Sequence, residues 1–355
     1  MSYALPHIER ITPYPVTEAP LHRSIKLDQN ESPYPPSNQV IQLLAATSEQ
    51  IMRRYPDAAA STLRNTIAAH YGITSDRIVI GNGSSELITA LFRTFVDRER
   101  SAVMPYPTFA LYQVAAEAAN AMIQFVPTRE DFSVDIETLL HTNASVIALV
   151  NPNAPTGRLL SRDEIETIVQ RAPGLVCIDE AYMDFAGEDY SAIPLTQKYD
   201  NLVVLRTFSK AYALSGARIG YAIGSPAIIQ AFEKTKTIYN VSSISLALAN
   251  QAMQDQPLIR NIVAAVCATR DRFVTALTDI GFHVVPSRTN FVLCTPPSAP
   301  GCPDAQQLVQ LLAANGIAIR YFNVPRLQDK VRISIGTDEQ MESLIDLLRN
   351  GYLGV

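Results

Sequence analysis

Apolar residues follow two spacings along the chain, and together they predict alternating strands and helices from about residue 41 onward. Short apolar runs predict buried strands in RIVIG, SAVM, ASVIALV, LVCID and NLVVLRTF. Helical spacing is found in VIQLLAATSEQIM, STLRNTIAAHYG and SRDEIETIVQRA. Gly72 is placed to end one helix, and Ser161 with Glu164 predicts a capping box. The alternation predicts an α/β fold with a mainly parallel sheet and helices on its faces.

The pattern changes near residues 40 and 245, which predicts an arm and two domains. Residues 1–40 contain TPYPVTEAP and LDQNESPYPPSN, so we expect an irregular N-terminal arm that joins the smaller domain. Residues 41–245 should form the large domain. After that, long helical segments lead into FHVVPS, NFVLCT, GIAIRYF and VRISIG, followed by a last helix. This order predicts a smaller α+β domain over residues 246–355.

Composition narrows the possible partners. The 355 residues are 47% hydrophobic and 18% charged, with a net charge of -5, which is ordinary for a soluble globular protein. Mild acidity gives no electrostatic reason to expect nucleic acid or a membrane surface as partner. No apolar run reaches the length of a membrane span, and the first residues do not resemble a signal peptide. The four cysteines lack zinc-site spacing, so we expect core thiols in the cytoplasm and no metal.

Two stretches at predicted strand ends could contact an anionic, aromatic cofactor. In GNGSSE, glycines permit a tight turn, and the helix that follows offers free N–H groups to a phosphate beside Gly83, Ser84 and Ser85. In PYPTFALY, Phe109 could stack on a flat ring. Taken alone, a helix cap or core packing explains each of them as well.

Two further stretches add reactive groups. Asp179 ends the strand LVCID and precedes Tyr182; a carboxylate facing a pyridine nitrogen keeps that nitrogen protonated and makes the ring an electron sink. Alone, Asp179 could equally be a metal ligand or a helix cap. In RTFSKAYALSGARIGY, Lys210 could form a Schiff base with an aldehyde. Ser209 and Arg218 could hold a phosphate.

In this order, the stretches resemble the fold-type I, pyridoxal-phosphate-dependent aminotransferases. The resemblance runs from about Tyr14 to Ile335, and the family pattern SKxxxLxGxRxGY stands here as SKAYALSGARIGY. It implies that Lys210 binds pyridoxal 5'-phosphate and serves as general base. It also implies that Arg218 binds the cofactor's phosphate.

Further motifs resemble the histidinol-phosphate aminotransferases within that group. This chain has NESPYPPS where the family has NENPYGPS, GNGSSE where the family has GNGSDE, and VRISIGT where the family has LRITVGT. This resemblance implies that Arg332 binds a substrate carboxylate and Arg320 a substrate phosphate, with Tyr14 and Asn240 in the same pocket. It also implies a homodimer, because Tyr55 of the YPD motif should reach the phosphate of the partner subunit's cofactor.

Two positions depart from the family pattern. Ala154, in NPNAPTG, replaces the asparagine that usually bonds the cofactor's phenolic oxygen. Tyr182 can still supply that bond, and Asn153 is the neighbouring amide that could take the missing place. Loss of a donor should raise the Schiff-base pKa. Phe109 stands where a tyrosine is common, which keeps stacking and loses a hydroxyl.

The resemblance implies a ping-pong transamination of L-histidinol phosphate with 2-oxoglutarate, giving imidazole acetol phosphate and L-glutamate, in histidine biosynthesis. An aromatic amino acid aminotransferase would share almost every motif. A pyridoxal-phosphate decarboxylase of a phosphorylated amino acid is a second alternative. A DNA-binding regulator with an aminotransferase-like domain is a third, but residues 1–40 lack the basic recognition helix it requires.

Overall fold

The strands form three sheets. The computed structural model describes residues 3–14, 25–299 and 302–352, so part of the predicted arm, residues 15–24, lies outside the described residues. In chain order the strands are β1 (Ile25–Lys26), β2 (Ile78–Gly81), β3 (Ala102–Tyr106), β4 (Ile123–Pro127), β5 (Val146–Val150), β6 (Leu175–Asp179), β7 (Leu202–Thr207), β8 (Gly220–Gly224), β9 (His283–Val284), β10 (Phe291–Thr295), β11 (Ile317–Ala318), β12 (Arg320–Tyr321) and β13 (Val331–Ser334).

The large sheet has seven strands in the order β2-β8-β7-β6-β5-β3-β4. All neighbouring pairs are parallel except those of β8, which runs antiparallel to β2 and β7. Every residue of β5 and β7 is buried, as expected for strands covered on both faces. The predicted α/β fold with a mainly parallel sheet is therefore confirmed.

The reversed strand β8 matters for the site. Gly220, at its start, pairs with Gly81 at the end of β2 and with Thr207 at the end of β7. Residues just before β8 consequently lie at the same edge as residues that follow β2, β6 and β7. In open α/β sheets, this carboxyl edge is where ligands bind.

The helices predicted from apolar spacing are present, except that the stretch VIQLLAATSEQIM is divided into two helices. In chain order the helices are α1 (Pro6–Glu9), α2 (Asn38–Ala45), α3 (Glu49–Arg53), α4 (Ser61–Tyr71), α5 (Gly83–Phe95), α6 (Leu111–Ala118), α7 (Ile136–His141), α8 (Arg162–Arg171), α9 (Pro226–Thr235), α10 (Ser243–Gln254), α11 (Gln256–Asp279), α12 (Ala305–Ala314) and α13 (Asp338–Tyr352). The capping box of Ser161 and Glu164 is present, and Gly72 ends α4 with φ of 65°. Within the described residues, no helix is long and apolar enough to cross a bilayer.

A second, antiparallel sheet of order β12-β13-β10-β9 carries the C-terminal part of the chain. It packs with α11 and α12, while α13 packs against α11. The arm joins this part of the molecule, because β1 pairs in parallel with β11 through Ile25 and Ile317. Helix α10 crosses the predicted boundary at residue 245.

Candidate active site

A cavity of about 480 Å³ lies at the carboxyl edge of the large sheet. Residues of the arm and of β12 and β13 also line it. The predicted site residues found in its wall are Tyr14, Ser84, Ser85, Phe109, Asp179, Tyr182, Ser209, Lys210, Arg218, Arg320 and Arg332. The other predicted residues, Gly83, Asn153, Asn240 and Tyr55, are not part of this wall.

Lys210 is half-buried at the centre of the cavity. Its Nζ donates to the Gln29 carbonyl at 3.1 Å and lies 5.6 Å from the centroid of the Tyr182 ring. Burial, reinforced mainly by the positive charge of Arg332, lowers the pKa of Lys210 to about 7. A lysine with this pKa is partly unprotonated at neutral pH, so it can act as nucleophile and as base.

Asp179 is held rigidly at the end of β6. Its carboxylate accepts hydrogen bonds from the Tyr112 hydroxyl at 3.0 Å and from the Ala181 N–H at 3.1 Å. Burial raises the pKa of Asp179 to about 6, although both donors and Lys210 act in the opposite direction. A cationic ring nitrogen placed against this buried carboxylate would strongly stabilise its ionised form. Tyr112 was not predicted, because a tyrosine on an amphipathic helix is usually a core residue.

Arg218 and three neutral groups form a cradle beside Lys210. Arg218 Nη1 donates to Ser209 Oγ at 3.3 Å and to the Ser215 carbonyl at 3.0 Å, and Thr207 Oγ1 donates to Ser209 Oγ at 3.0 Å. Arg218 has a φ of 54°, a left-handed conformation that non-glycine residues rarely adopt. Thr207, which lines the cavity, was missed because its position inside a buried strand gave no polar signal.

The N-terminus of α5 completes this cradle. Ser84 and Ser85 line the cavity there, and the first N–H groups of a helix favour an anion. Gly83 has a φ of 72°, and a Cβ added to it would lie 2.6 Å from Arg218 Nη2. The glycine predicted for a tight turn therefore also makes room for the guanidinium.

Tyr182 also lines the cavity. Its hydroxyl accepts a hydrogen bond from Asn30 Nδ2 at 2.9 Å, and its ring meets Phe291 edge-to-face at 5.1 Å. Burial raises the pKa of Tyr182, so the phenol stays protonated near neutral pH. Phe109 is half-buried and meets the ring of Tyr14 edge-to-face at 5.8 Å.

Arg320 and Arg332 lie directly opposite each other on β12 and β13, and both line the cavity. The Arg332 guanidinium donates to the Asp28 carbonyl at 2.8 Å and lies 5.3 and 5.5 Å from the ring centroids of Phe291 and Phe322. Its Nε is buried without a hydrogen-bond partner among the described residues. Like charges opposite each other on a sheet repel, so this pair is suited to binding anions.

Asn153 is not turned toward the cavity. Its amide donates to the Pro107 carbonyl at 3.0 Å and to Thr156 Oγ1 at 2.9 Å, and it accepts from Thr108 at 2.9 Å. It therefore joins its own loop to the turn after β3, while Ala154 lines the cavity. The structure does not bring the neighbouring amide into the place left by Ala154.

Asn240 and Tyr55 also lie away from the cavity. Asn240 donates to the Ile80 carbonyl at 3.1 Å and to Glu86 at 2.7 Å, so it supports the turn from β2 to α5 from behind. Tyr55 is 81% exposed and stacks on Tyr239 with ring centroids 4.6 Å apart. Within one chain, neither side chain reaches the cavity.

Taken together, the cavity residues fit pyridoxal 5'-phosphate. The cradle of Ser209, Arg218 and the α5 N-terminus fits the phosphate, and Lys210 fits the aldehyde. The buried Asp179 carboxylate fits the ring nitrogen, and Phe109 offers a ring for stacking.

Comparison with known proteins agrees with this chemistry. The model of the family "Aminotransferase class I and II" matches residues 23–348. Histidinol-phosphate aminotransferase 1 of Trichormus variabilis is 35% identical over 98% of this chain and 99% of that protein. Histidinol-phosphate aminotransferase 2 of Gluconobacter oxydans is 40% identical over 92% of this chain and 91% of that protein.

Among solved structures, a histidinol-phosphate aminotransferase from Sinorhizobium meliloti, in complex with pyridoxal-5'-phosphate, superposes with a TM-score of 0.89. It is 28% identical, and the match covers 99% of this chain and 98% of that one. The chain therefore belongs to the pyridoxal-phosphate-dependent class I and II aminotransferases and, within them, to the histidinol-phosphate aminotransferase family.

Proposed function

We propose that this chain transfers the amino group of L-histidinol phosphate to 2-oxoglutarate, giving imidazole acetol phosphate and L-glutamate, in histidine biosynthesis. The observation that carries the proposal is the pair of arginines, Arg320 and Arg332, opposite each other in the cavity that holds Lys210. Because Arg218 and the α5 N-terminus fit the cofactor's phosphate, we assign this pair to substrate anions.

The residues of this chain divide the work with the cofactor. Bound pyridoxal phosphate supplies an electron-withdrawing ring, which stabilises negative charge at the amine-bearing carbon of the substrate. Asp179 would keep the ring nitrogen protonated, since a buried carboxylate held by Tyr112 and Ala181 cannot turn away. Phe109 would stack on the ring, and Tyr182 would donate to its phenolic oxygen.

Lys210 moves the proton. With its pKa lowered to about 7, a substantial fraction of Lys210 Nζ is unprotonated at neutral pH. With the substrate's amine held at the cofactor, Lys210 Nζ would take the proton from the amine-bearing carbon of the substrate and hold it beside the reacting atoms. Burial next to Arg332 and Arg218 supplies the lowered pKa this step needs.

The substrate anions would be shared between the two arginines. Arg332 would bind the α-carboxylate of glutamate, because its Nε is buried and lacks a hydrogen bond among the described residues. Arg320, with Tyr14, would bind the phosphate of histidinol phosphate. A ping-pong enzyme needs both, since its two substrates use one site in turn.

An absorbance titration of the holoenzyme tests the proposal. L-Histidinol phosphate should bleach the visible band of the lysine-bound cofactor at far lower concentration than L-phenylalanine does, and 2-oxoglutarate should restore the band. Equal or better bleaching by phenylalanine would favour an aromatic amino acid aminotransferase. Release of CO₂ from a phosphorylated amino acid, without any need for 2-oxoglutarate, would favour a decarboxylase.

We also propose that the active form is a homodimer with Tyr55 acting in the partner's site. The support is a set of exposed apolar side chains in α2, in and just after α3, and in the loop after α9: Ile41, Leu44, Met52, Tyr55, Ile238 and Tyr239. Tyr55 and Tyr239 among them stack on each other. An aromatic residue as exposed as Tyr55 is suited to an interface. The division into an arm (1–40), a large domain (41–245) and a small domain (246–355) belongs to the same proposal and is supported by membership of the separate sheets.

Mixing two inactive variants tests the dimer. Lys210→Ala removes the lysine, and Tyr55→Ala removes the tyrosine. A mixed dimer would hold one site with both groups if Tyr55 crosses the interface, so random exchange should restore about a quarter of the sites. No gain on mixing, with subunit exchange verified by mass spectrometry, would show that Tyr55 does not act across the interface.

A cytoplasmic location completes the proposal. All four cysteines are free thiols, and Cys177 and Cys294 are buried. This state agrees with a reducing compartment. Fractionation of the cells that make the protein, with markers for each compartment, tests this location.

A further inference from the structure

Asn30 uses every hydrogen-bonding group it has, and one of them reaches the active site. It is 1% exposed. Its backbone N–H donates to Ser334 Oγ at 2.9 Å, and its carbonyl accepts from Asn290 Nδ2 at 3.0 Å. Its side-chain Oδ1 accepts from Ser334 Oγ at 3.0 Å, and its Nδ2 donates to the Tyr182 hydroxyl at 2.9 Å. Its φ of 55° is a left-handed conformation that asparagine tolerates better than most residues.

These bonds fix which end of the amide faces Tyr182. Ser334 Oγ accepts the Asn30 backbone N–H and donates its own proton to Asn30 Oδ1. The amide nitrogen is therefore the end that points to Tyr182. Since the tyrosine oxygen accepts from this nitrogen, the single proton of the phenol must point elsewhere.

The remaining direction is the cavity. Tyr182 lines it, and Lys210 Nζ lies 5.6 Å from the centroid of its ring. Ala154, which has no side-chain donor, lines the same cavity, and the amide of Asn153 donates to the Pro107 carbonyl and to Thr156. The phenol proton of Tyr182 thus faces a part of the cavity where neither of these residues supplies a donor.

We propose that Asn30 is a positioning residue, which directs the Tyr182 proton toward the phenolic oxygen of the bound cofactor. The inference rests on the proposed function in one respect, that Lys210 carries the cofactor beside Tyr182. A donor on the phenolic oxygen disfavours the protonated form of the bond between Lys210 and the cofactor, so it lowers the pKa of that bond. Without Asn30, the phenol proton is free to turn away, and this pKa rises.

The test is a pH titration of the visible absorbance of the resting holoenzyme, with no substrate present. Asn30→Gly keeps the left-handed backbone and removes the amide. We expect the titration midpoint of this variant to rise by about one pH unit. This is the effect of weakening one hydrogen bond to the phenolic oxygen, which favours the unprotonated form of the bond between Lys210 and the cofactor. Tyr182→Phe should raise the midpoint by at least as much. When Asn30→Gly is added to Tyr182→Phe, the double variant should differ little from Tyr182→Phe alone.

Two further variants keep the test decisive. Asn290→Ala removes a bond to the Asn30 backbone and leaves the amide–phenol contact, so its midpoint should match that of the unmodified protein. If Asn30→Gly fails to fold, Asn30→Asp has the same shape. The carboxylate that this substitution introduces would attract the phenol proton away from the cofactor. Asn30→Asp should therefore raise the titration midpoint more when Tyr182 is present than when it is replaced by phenylalanine. The negative charge of the new carboxylate acts in both backgrounds, so the difference between them reports the phenol proton.

The possible results separate the two proposals. Equal shifts for an Asn30 variant in the presence and in the absence of the Tyr182 hydroxyl would overturn the positioning role, and so would a shift in Asn290→Ala as large as that in Asn30→Gly. A cofactor that shows no titrating visible band in the unmodified protein would instead overturn the assignment of Lys210. Cofactor content and the unfolding temperature are measured for each variant to verify that folded, loaded proteins are compared.

Discussion

The cavity has two walls that differ in how they are supported. The cofactor wall (Ser84, Ser85, Asp179, Ser209, Lys210 and Arg218) follows strands of four to six residues in the seven-stranded sheet, or precedes β8 within it. The substrate wall (Tyr14, Arg320 and Arg332) belongs to the arm and to β12 and β13, strands of two and four residues. The residues of the cofactor wall are thus held by the larger sheet with the longer strands. The residues expected to select substrates are held by the arm and by shorter strands.

This difference predicts which substitutions should affect all substrates and which should affect only some of them. A change in the cofactor wall should affect every amino donor alike, because all donors react at the same atoms. A change in the substrate wall should affect donors according to their charge.

The largest effect should come from Lys210→Ala. We expect the rate to fall by more than about a thousandfold for histidinol phosphate and for phenylalanine alike, because the nucleophile and the base are lost together. Single-turnover kinetics measures this loss. The control is Lys198→Ala, which removes an exposed lysine paired with Glu166 and should leave the rate unchanged.

Arg320→Gln should separate the walls most clearly. We expect kcat/KM to fall about a hundredfold for histidinol phosphate, because a charge-assisted contact to phosphate is lost. Phenylalanine, which has no phosphate, should change by only a few-fold. Arg349→Gln, an exposed arginine on α13, is the matched control. An equal loss for both donors would show that Arg320 belongs functionally with the cofactor wall.

Asp179→Asn should stabilise the cofactor-free protein above pH 6. The pKa of Asp179 is raised to about 6 from its ordinary value of 3.8, so folding favours its protonated form. The contribution of Asp179 to the free energy of unfolding is fully present below pH 4. It is lost as the pH rises through 6, which lowers the stability of the folded protein by about 2 to 3 kcal/mol. The variant's advantage in thermal unfolding should therefore appear at pH 8 and vanish near pH 4. The same advantage at both pH values would contradict the shift.

Tyr112→Phe should have the smallest effect, about tenfold on kcat for both donors. It removes one of two hydrogen-bond donors to the Asp179 carboxylate, so the pKa of that carboxyl should rise further. A smaller fraction of Asp179 is then ionised at a given pH. The pH at which activity declines on the acid side should move upward. Tyr199→Phe, which loses a contact to Glu166 on the surface, should leave this pH unchanged.

The two walls also differ in how much the sequence can predict. The residues of the cofactor wall could be predicted because they lie in contiguous motifs at strand ends, where the parallel sheet brings them together. Thr207 and Tyr112 were missed because their surroundings are apolar and their partners, Ser209 and Asp179, are contacted only in the folded chain.

The substrate wall depends on register, which spacing does not reveal. Nothing in GIAIRYF and VRISIG indicates that Arg320 and Arg332 pair, since twelve positions and a loop separate them. Asn153 and Asn240, which were predicted to contact the cofactor and the substrate, are not part of the cavity wall. An amide near a motif looks like a ligand contact, but both amides satisfy backbone carbonyls nearby, a demand that only the folded loops define.

The bonds between Asn30 and Ser334 span 304 positions of sequence. A chain emerging from the ribosome can form the seven-stranded sheet long before Ser334 is synthesised, because that sheet ends at Gly224. The hydrogen bonds between Ser334 and Asn30, which hold the amide toward Tyr182, would then be missing until β13 has joined the arm. If Asn30 positions the phenol as proposed, the cofactor would reach its final protonation state only after β13 has folded, and a polypeptide cut short before that strand would hold the reactive lysine without the surroundings that tune it.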